Sequence, residues 1–179
     1  MRVLIDAFVL YPTVMREVVL GCANRGLFEP KWSDRILAEW VRATQKLGPE
    51  AETIARGEVA LLSALFPQAI VPAHDGLEQR LWLPDPNDIH VLASAVAGSC
   101  DSIMTLNAKD FPRDILAEEG VSRVDPDGFL SGFLESHDVD IRAVCEGVLA
   151  TAREMSGEDW TMRKLLKKAR LPRLGKALA

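Results

Sequence analysis

The stretch LPDPNDIHVLASAVAGSCDSIMTLNAKDFP, residues 83–112, contains a helix start, a helix, a turn, a buried strand and a polar loop in direct succession. Ile89, Leu92, Ala93, Ala95 and Val96 recur at helical spacing, with Asp85 placed as N-cap, Pro86 at the first helical position and Gly98 as the stop. Ser102, Ile103, Met104 and Thr105 read as a short buried strand, and Asn107, Lys109 and Asp110 follow just beyond its carboxyl end. Ligands of α/β folds bind at that edge of the sheet.

Asp88 shares the apolar side of its own helix, because Leu92 lies four residues on and Ala95 seven. Two readings account for a core-facing acid there. Asp88 can return a hydrogen bond to the cap at Asp85 and meet the positive helix end, or it can help to hold a metal ion. The second reading needs further carboxylates, and the chain offers them.

Residues 2–5 form an apolar run that stops at Asp6, which places a second acid either at the carboxyl end of a buried strand or in a turn. A helix face follows in Val14, Val18, Val19 and Cys22, with Gly26 as its stop. Residues 27–32 can form a strand, which Pro30 marks as an edge strand or a very short one. Ser33 then caps a helix with Ile36, Leu37, Trp40, Val41 and Leu47 on its apolar face. Glu39 falls on the margin of that face, where a third carboxylate either reaches over the rim of the core or stays in solvent. A longer helix over 49–66 is expected to turn Ile54, Leu61, Leu62 and Leu65 inward.

Residues 69–71 read as a brief strand and His74, Asp75 and Gly76 as a turn, while after Pro112 a helix runs to Gly120. A weak strand over 121–124 leads through Asp125, Pro126 and Asp127 to a helix start, and a helix over 139–155 follows. Alternating strands and helices predict an α/β fold of three layers, a central, mainly parallel sheet flanked by helices, with a C-terminal helical tail. Residues 1–135 are assigned to the main domain, and 136–179 to C-terminal helices with a basic tail packed on it.

With 179 residues, 48% of them hydrophobic, the chain can bury one substantial core. Cys22, Cys100 and Cys145 form no CxxC pair, so they are expected to be reduced packing residues, without a zinc site or a disulfide frame. His74, His90 and His137 lack the spacing of a metal motif and stay outside the expected site. The N-terminus reaches Asp6 too soon for a signal peptide and no stretch approaches a membrane span, so a soluble, cytoplasmic protein is expected. Residues 161–179 carry seven Lys or Arg and no acid, which leaves −12 on the remainder against a formal total of −5. Lys164, Lys167, Lys168 and Arg170 are therefore candidate nucleic-acid contacts. Met162, Leu165, Leu166 and Ala169 equally allow a packed helix with solvated lysines.

Several carboxylates that converge without fixed cations repel one another, and a hard divalent ion, magnesium or manganese, relieves that repulsion. Such a site suits phosphodiester hydrolysis. The segments VLIDAFVLYP, GLFEPKWSDRILAEW, LPDPNDIHVLASAVAG, IMTLNAKDFP and VDPDGFL, in this order and spacing, resemble the PIN-domain nucleases, and among them the VapC-like toxin ribonucleases. The resemblance implies that Asp6, Glu39, Asp88 and Asp110 are the acidic metal-site residues, with Thr105 and Asn107 supporting the loop. It further implies an RNA substrate, a cognate antitoxin protein and pairing with a second copy of the chain. Many of these proteins have a small polar residue where this chain has Phe8. A phosphatase of the haloacid-dehalogenase type would need an aspartate at that same position. A non-catalytic PIN-like module that binds RNA or a partner protein is the alternative.

Overall fold

Val3, Leu4 and Ile5 are wholly buried, and this unbroken apolar run forms β1 (Arg2–Ile5), an inner strand of a parallel sheet. The structure, a computed structural model, describes all 179 residues. The sheet has four strands in the order β2 (Glu29–Lys31), β1, β3 (Ser102–Met104), β4 (Ser122–Val124), every pair parallel. An α/β fold with a central sheet flanked by helices is therefore what the chain adopts. Pro30 pairs with Val3 from the edge strand β2, where a missing N–H costs no ladder bond on the open side. The strand expected over 69–71 shrinks to one bridge between Trp32 and Ile70, since only the two backbone bonds around Trp32 hold it.

The helices are α1 (Ala7–Leu10), α2 (Thr13–Asn24), α3 (Asp34–Thr44), α4 (Pro49–Leu65), α5 (Asp75–Arg80), α6 (Ile89–Ala97), α7 (Arg113–Glu118), α8 (Pro126–Ser131), α9 (Leu134–Ser156), α10 (Met162–Lys168) and α11 (Pro172–Ala177). They fall into two compact units interleaved in sequence, one made of Met1–Tyr11 and Glu29–Val124, the other of Pro12–Phe28 and Asp125–Ala179.

The first unit holds the sheet. Ser33 caps α3 by accepting the Ile36 N–H, and Ile36, Leu37, Trp40 and Val41 are buried as the periodicity requires. Leu47 departs from that reading, because α3 ends at Thr44 and Leu47 sits exposed in a following 3-10 turn. The inward face expected of α4 is corrected more strongly, since Ile54 is 63%, Leu61 71% and Leu65 52% exposed and only Leu62 of the four is half-buried. The helix packs on α3 through an adjacent face of smaller residues, in which Ala55 is buried and Val59 and Ser63 are half-buried. His74 does more than turn the chain, for its Nδ1 accepts the Leu77 N–H and caps α5. A 3-10 turn (Pro86–Asp88), capped by Asp85, leads into α6, which Gly98 ends as expected.

In the second unit α2 lies close against α9, and a Cβ on Gly21 would stand 2.6 Å from Val144 Cγ1. Cys22 and Cys145 are buried thiols pushed up to about 12 by desolvation, and so serve as inert packing. The basic tail is folded: Leu165, Leu166, Leu171, Leu174 and Leu178 are buried. Buried Asp127 accepts the Arg173 and Leu174 N–H groups at 2.9 and 3.0 Å, which satisfies the start of α11. No helix is long and apolar enough to cross a membrane.

Candidate active site

The chain leaves β1 toward β2 on one side and β3 joins β1 on the other, so the sheet reverses its winding between the two inner strands. A crevice opens at their carboxyl ends. The register pairs Ile5 with Met104, and the Asp6 N–H donates to the Met104 carbonyl at 3.1 Å, which sets Asp6 beside Thr105. Thr105 Oγ1 donates to Asp6 Oδ2 at 2.8 Å and accepts the Asn107 N–H at 3.0 Å. The Asn107 side-chain amide donates in turn to Asp110 Oδ2. One chain of hydrogen bonds thus links the acid after β1 to the acid in the loop after β3. Arg123 of β4 fastens that loop by donating to the carbonyls of Ala108 and Phe111, and the buried Phe111 ring anchors its end.

Asp88 stands at the N-cap of α6 without a side-chain capping bond. Capping is done by Asp85, whose Oδ1 accepts the Asn87 N–H at 2.9 Å. Asp85, Asp88 and Asp110 each offer a carboxylate oxygen, and these oxygens lie within 4.8 Å of one another. Burial, then the charges of Asp6, Asp85 and Asp110, push the Asp88 carboxyl up to about 6, with only His90 acting against them. Burial likewise raises Asp6, against the stabilising bonds from Thr105 and the Ala7 N–H, and Glu39 adds to the rise. Four aspartates therefore share one repulsive field.

Glu39 stands beside this group. Its charge reaches Asp6, yet it is not among the three acids whose oxygens converge. Its Oε1 is 3.6 Å from Arg35 Nε and 2.9 Å from His90 Nε2. Three residues here escaped the sequence reading. Asp85 was read as a cap alone, although its three-residue spacing to Asp88 already put both carboxylates on one helical turn. His90, which is buried, lacks the spacing of a metal motif, and Arg123 carries no local signal. Lys164, Lys167, Lys168 and Arg170 are exposed in the second unit, and Lys168 Nζ lies 4.8 Å from the centre of the Trp160 ring.

The converging donors are carboxylate oxygens without thiolate or imidazole, half-buried and mutually repelling. That set fits magnesium or manganese and is poorly matched to zinc. A family model described as PIN domain matches residues 2–109, a span that includes Asp6, Glu39, Asp85, Asp88, Thr105 and Asn107 and stops one residue before Asp110. No curated protein and no solved structure matches the chain.

Proposed function

Because the chain belongs to the PIN-domain family, we propose that it is a metal-dependent endoribonuclease that hydrolyses RNA phosphodiester bonds at the carboxyl end of its sheet. The observation that carries this reading is the convergence of Asp85, Asp88 and Asp110 on one point, in the electrostatic field of Asp6. Asp6, Asp88 and Asp110, joined by Glu39, would hold one or two magnesium or manganese ions, with Asp85 as an added donor. A bound ion supplies charge for a phosphate oxygen and a more acidic attacking water. Thr105 orients Asp6, Asn107 orients Asp110, and Arg123 keeps their loop in place. The test is cleavage of a mixed-sequence RNA by the purified protein over a magnesium or manganese titration, with Asp6→Asn as control. RNA binding without metal-dependent cleavage would instead favour a non-catalytic module.

Within the family we place the chain with the VapC-like toxins, on the order and spacing of its motifs. A toxin of this class arrests growth when expressed alone and is silenced by a small protein encoded beside it. Induced expression, with and without the neighbouring gene, tests that role. Growth arrest that the Asp6→Asn protein fails to cause is the expected result.

A further inference from the structure

We propose that His90 is a positioning residue that sets the place of Glu39 in the candidate metal site. The proposal rests on the nuclease reading and adds a residue that the motif pattern does not assign. His90 lies on the first turn of α6, two residues after Asp88, with its side chain only 2% exposed. Its Nε2 is 2.9 Å from Glu39 Oε1, but off the hydrogen-bond axis, and neither ring nitrogen has an aligned partner. A buried polar ring without an aligned partner is costly.

Arg35 and His90 both approach the same oxygen of Glu39, Oε1. Arg35, one turn earlier on α3, is exposed, 3.6 Å away, and shared with Glu78 at 3.7 Å. An exposed, divided pair of this kind holds a carboxylate weakly. His90 meets it from the dry side, where a polar interaction is less screened by solvent. With both partners at Oε1, Oε2 is the oxygen left for a metal ion. Partners behind a ligand commonly fix its orientation in this way.

The experiment measures manganese binding by calorimetry and RNA cleavage side by side in the wild type, His90→Leu, His90→Gln, Arg35→Met, Glu39→Gln and the double variant His90→Leu/Glu39→Gln. His90→Leu should weaken manganese binding by about 10 to 100-fold, as loss of an outer-shell partner does. His90→Gln, which keeps an amide donor, should recover most of that loss, and Arg35→Met should change binding by no more than about threefold. The double variant should bind no more weakly than Glu39→Gln alone, because the two residues act through one contact. If His90→Leu does not fold, His90→Asn, too short to reach Glu39, takes its place. A wild type that binds manganese and cleaves RNA while the His90 and Glu39 losses multiply overturns the positioning role alone. So does unchanged binding in folded His90→Leu or His90→Asn. A wild type that neither binds manganese nor cleaves overturns the nuclease reading, and the positioning role with it.

Discussion

Asp88 at neutral pH holds a charge that its surroundings oppose. Its carboxyl sits at about 6 in the folded protein, against an ordinary value of 3.8 that the unfolded chain retains. Above about pH 6 the ionised group therefore works against folding, and as pH falls from 7 toward 4 the folded state takes up its proton first and gains stability. Metal-free protein should melt at a higher temperature at pH 5 than at pH 7, and Asp88→Asn should remove much of that difference. The same variant should lose manganese binding and cut RNA cleavage by orders of magnitude, since a neutral amide no longer attracts the ion. Thermal melts across pH, with and without manganese, check both halves. A variant that cleaves like wild type at limiting metal would take Asp88 out of the site. Thr105 offers a complementary case. Thr105→Val deletes the donor to ionised Asp6, so the Asp6 carboxyl should rise further, and the acid limb of the cleavage profile should move to higher pH. Loss of a hydrogen bond to a charged group should also cost about 1.5–3 kcal/mol at pH 7 in urea melts.

At the scale of elements, the corrected packing of α4 makes a contrast with the tail. Leu61 is exposed on α4, and Leu61→Gln should change stability by no more than about 0.5 kcal/mol. Leu166 is wholly buried in α10, and Leu166→Ala should cost about 2–5 kcal/mol. Urea denaturation of the two variants decides whether those faces lie as described. The crossing of α2 and α9 is equally specific. Gly21→Ala would force its methyl group into Val144, so it should destabilise by about 1–3 kcal/mol, and adding Val144→Ala should return most of the loss. Simple addition of the two costs would show that the helices are not held at that distance.

For the whole molecule, charge is the property most unevenly divided. The seven cations of residues 161–179 belong to a folded pair of helices whose leucines are buried, so deleting the segment would break the core along with the charge. Replacing Lys164, Lys167, Lys168 and Arg170 by Gln keeps the helix and removes only the charges. If these side chains touch RNA phosphates, each lost contact should reduce the slope of log K against log salt by about 0.7 for a single strand. Filter binding of a single-stranded RNA at several salt concentrations measures it. An unchanged slope would assign the charges to solvation or to a protein partner.

Local chemistry was legible in the residues alone: Ser33 and Asp85 as caps, Gly98 as a stop, Pro30 as an edge residue, and the order of strands and helices that implied a parallel sheet. These features depend on a few neighbouring residues, and period and cap chemistry express them directly. Asp6 and Asp88 could be named as candidates for the same reason, one following a strand and one opening a helix, whereas Asp110 entered the set through the family resemblance. Tertiary structure decided the rest. The contact between Asp6 and Thr105 joins residues 99 apart, and only the pairing of β1 with β3 makes it. Apolar periodicity on α4 pointed to the face of Ile54, Leu61 and Leu65, and the close approach of α3 selected instead the one with Ala55. Asp85 joined the acids because the loop after β3 comes up to the turn before α6, and His90 came to Glu39 because α6 and α3 bring the two side chains together. No local pattern records such meetings, since the free energy that produces them is burial shared among distant segments.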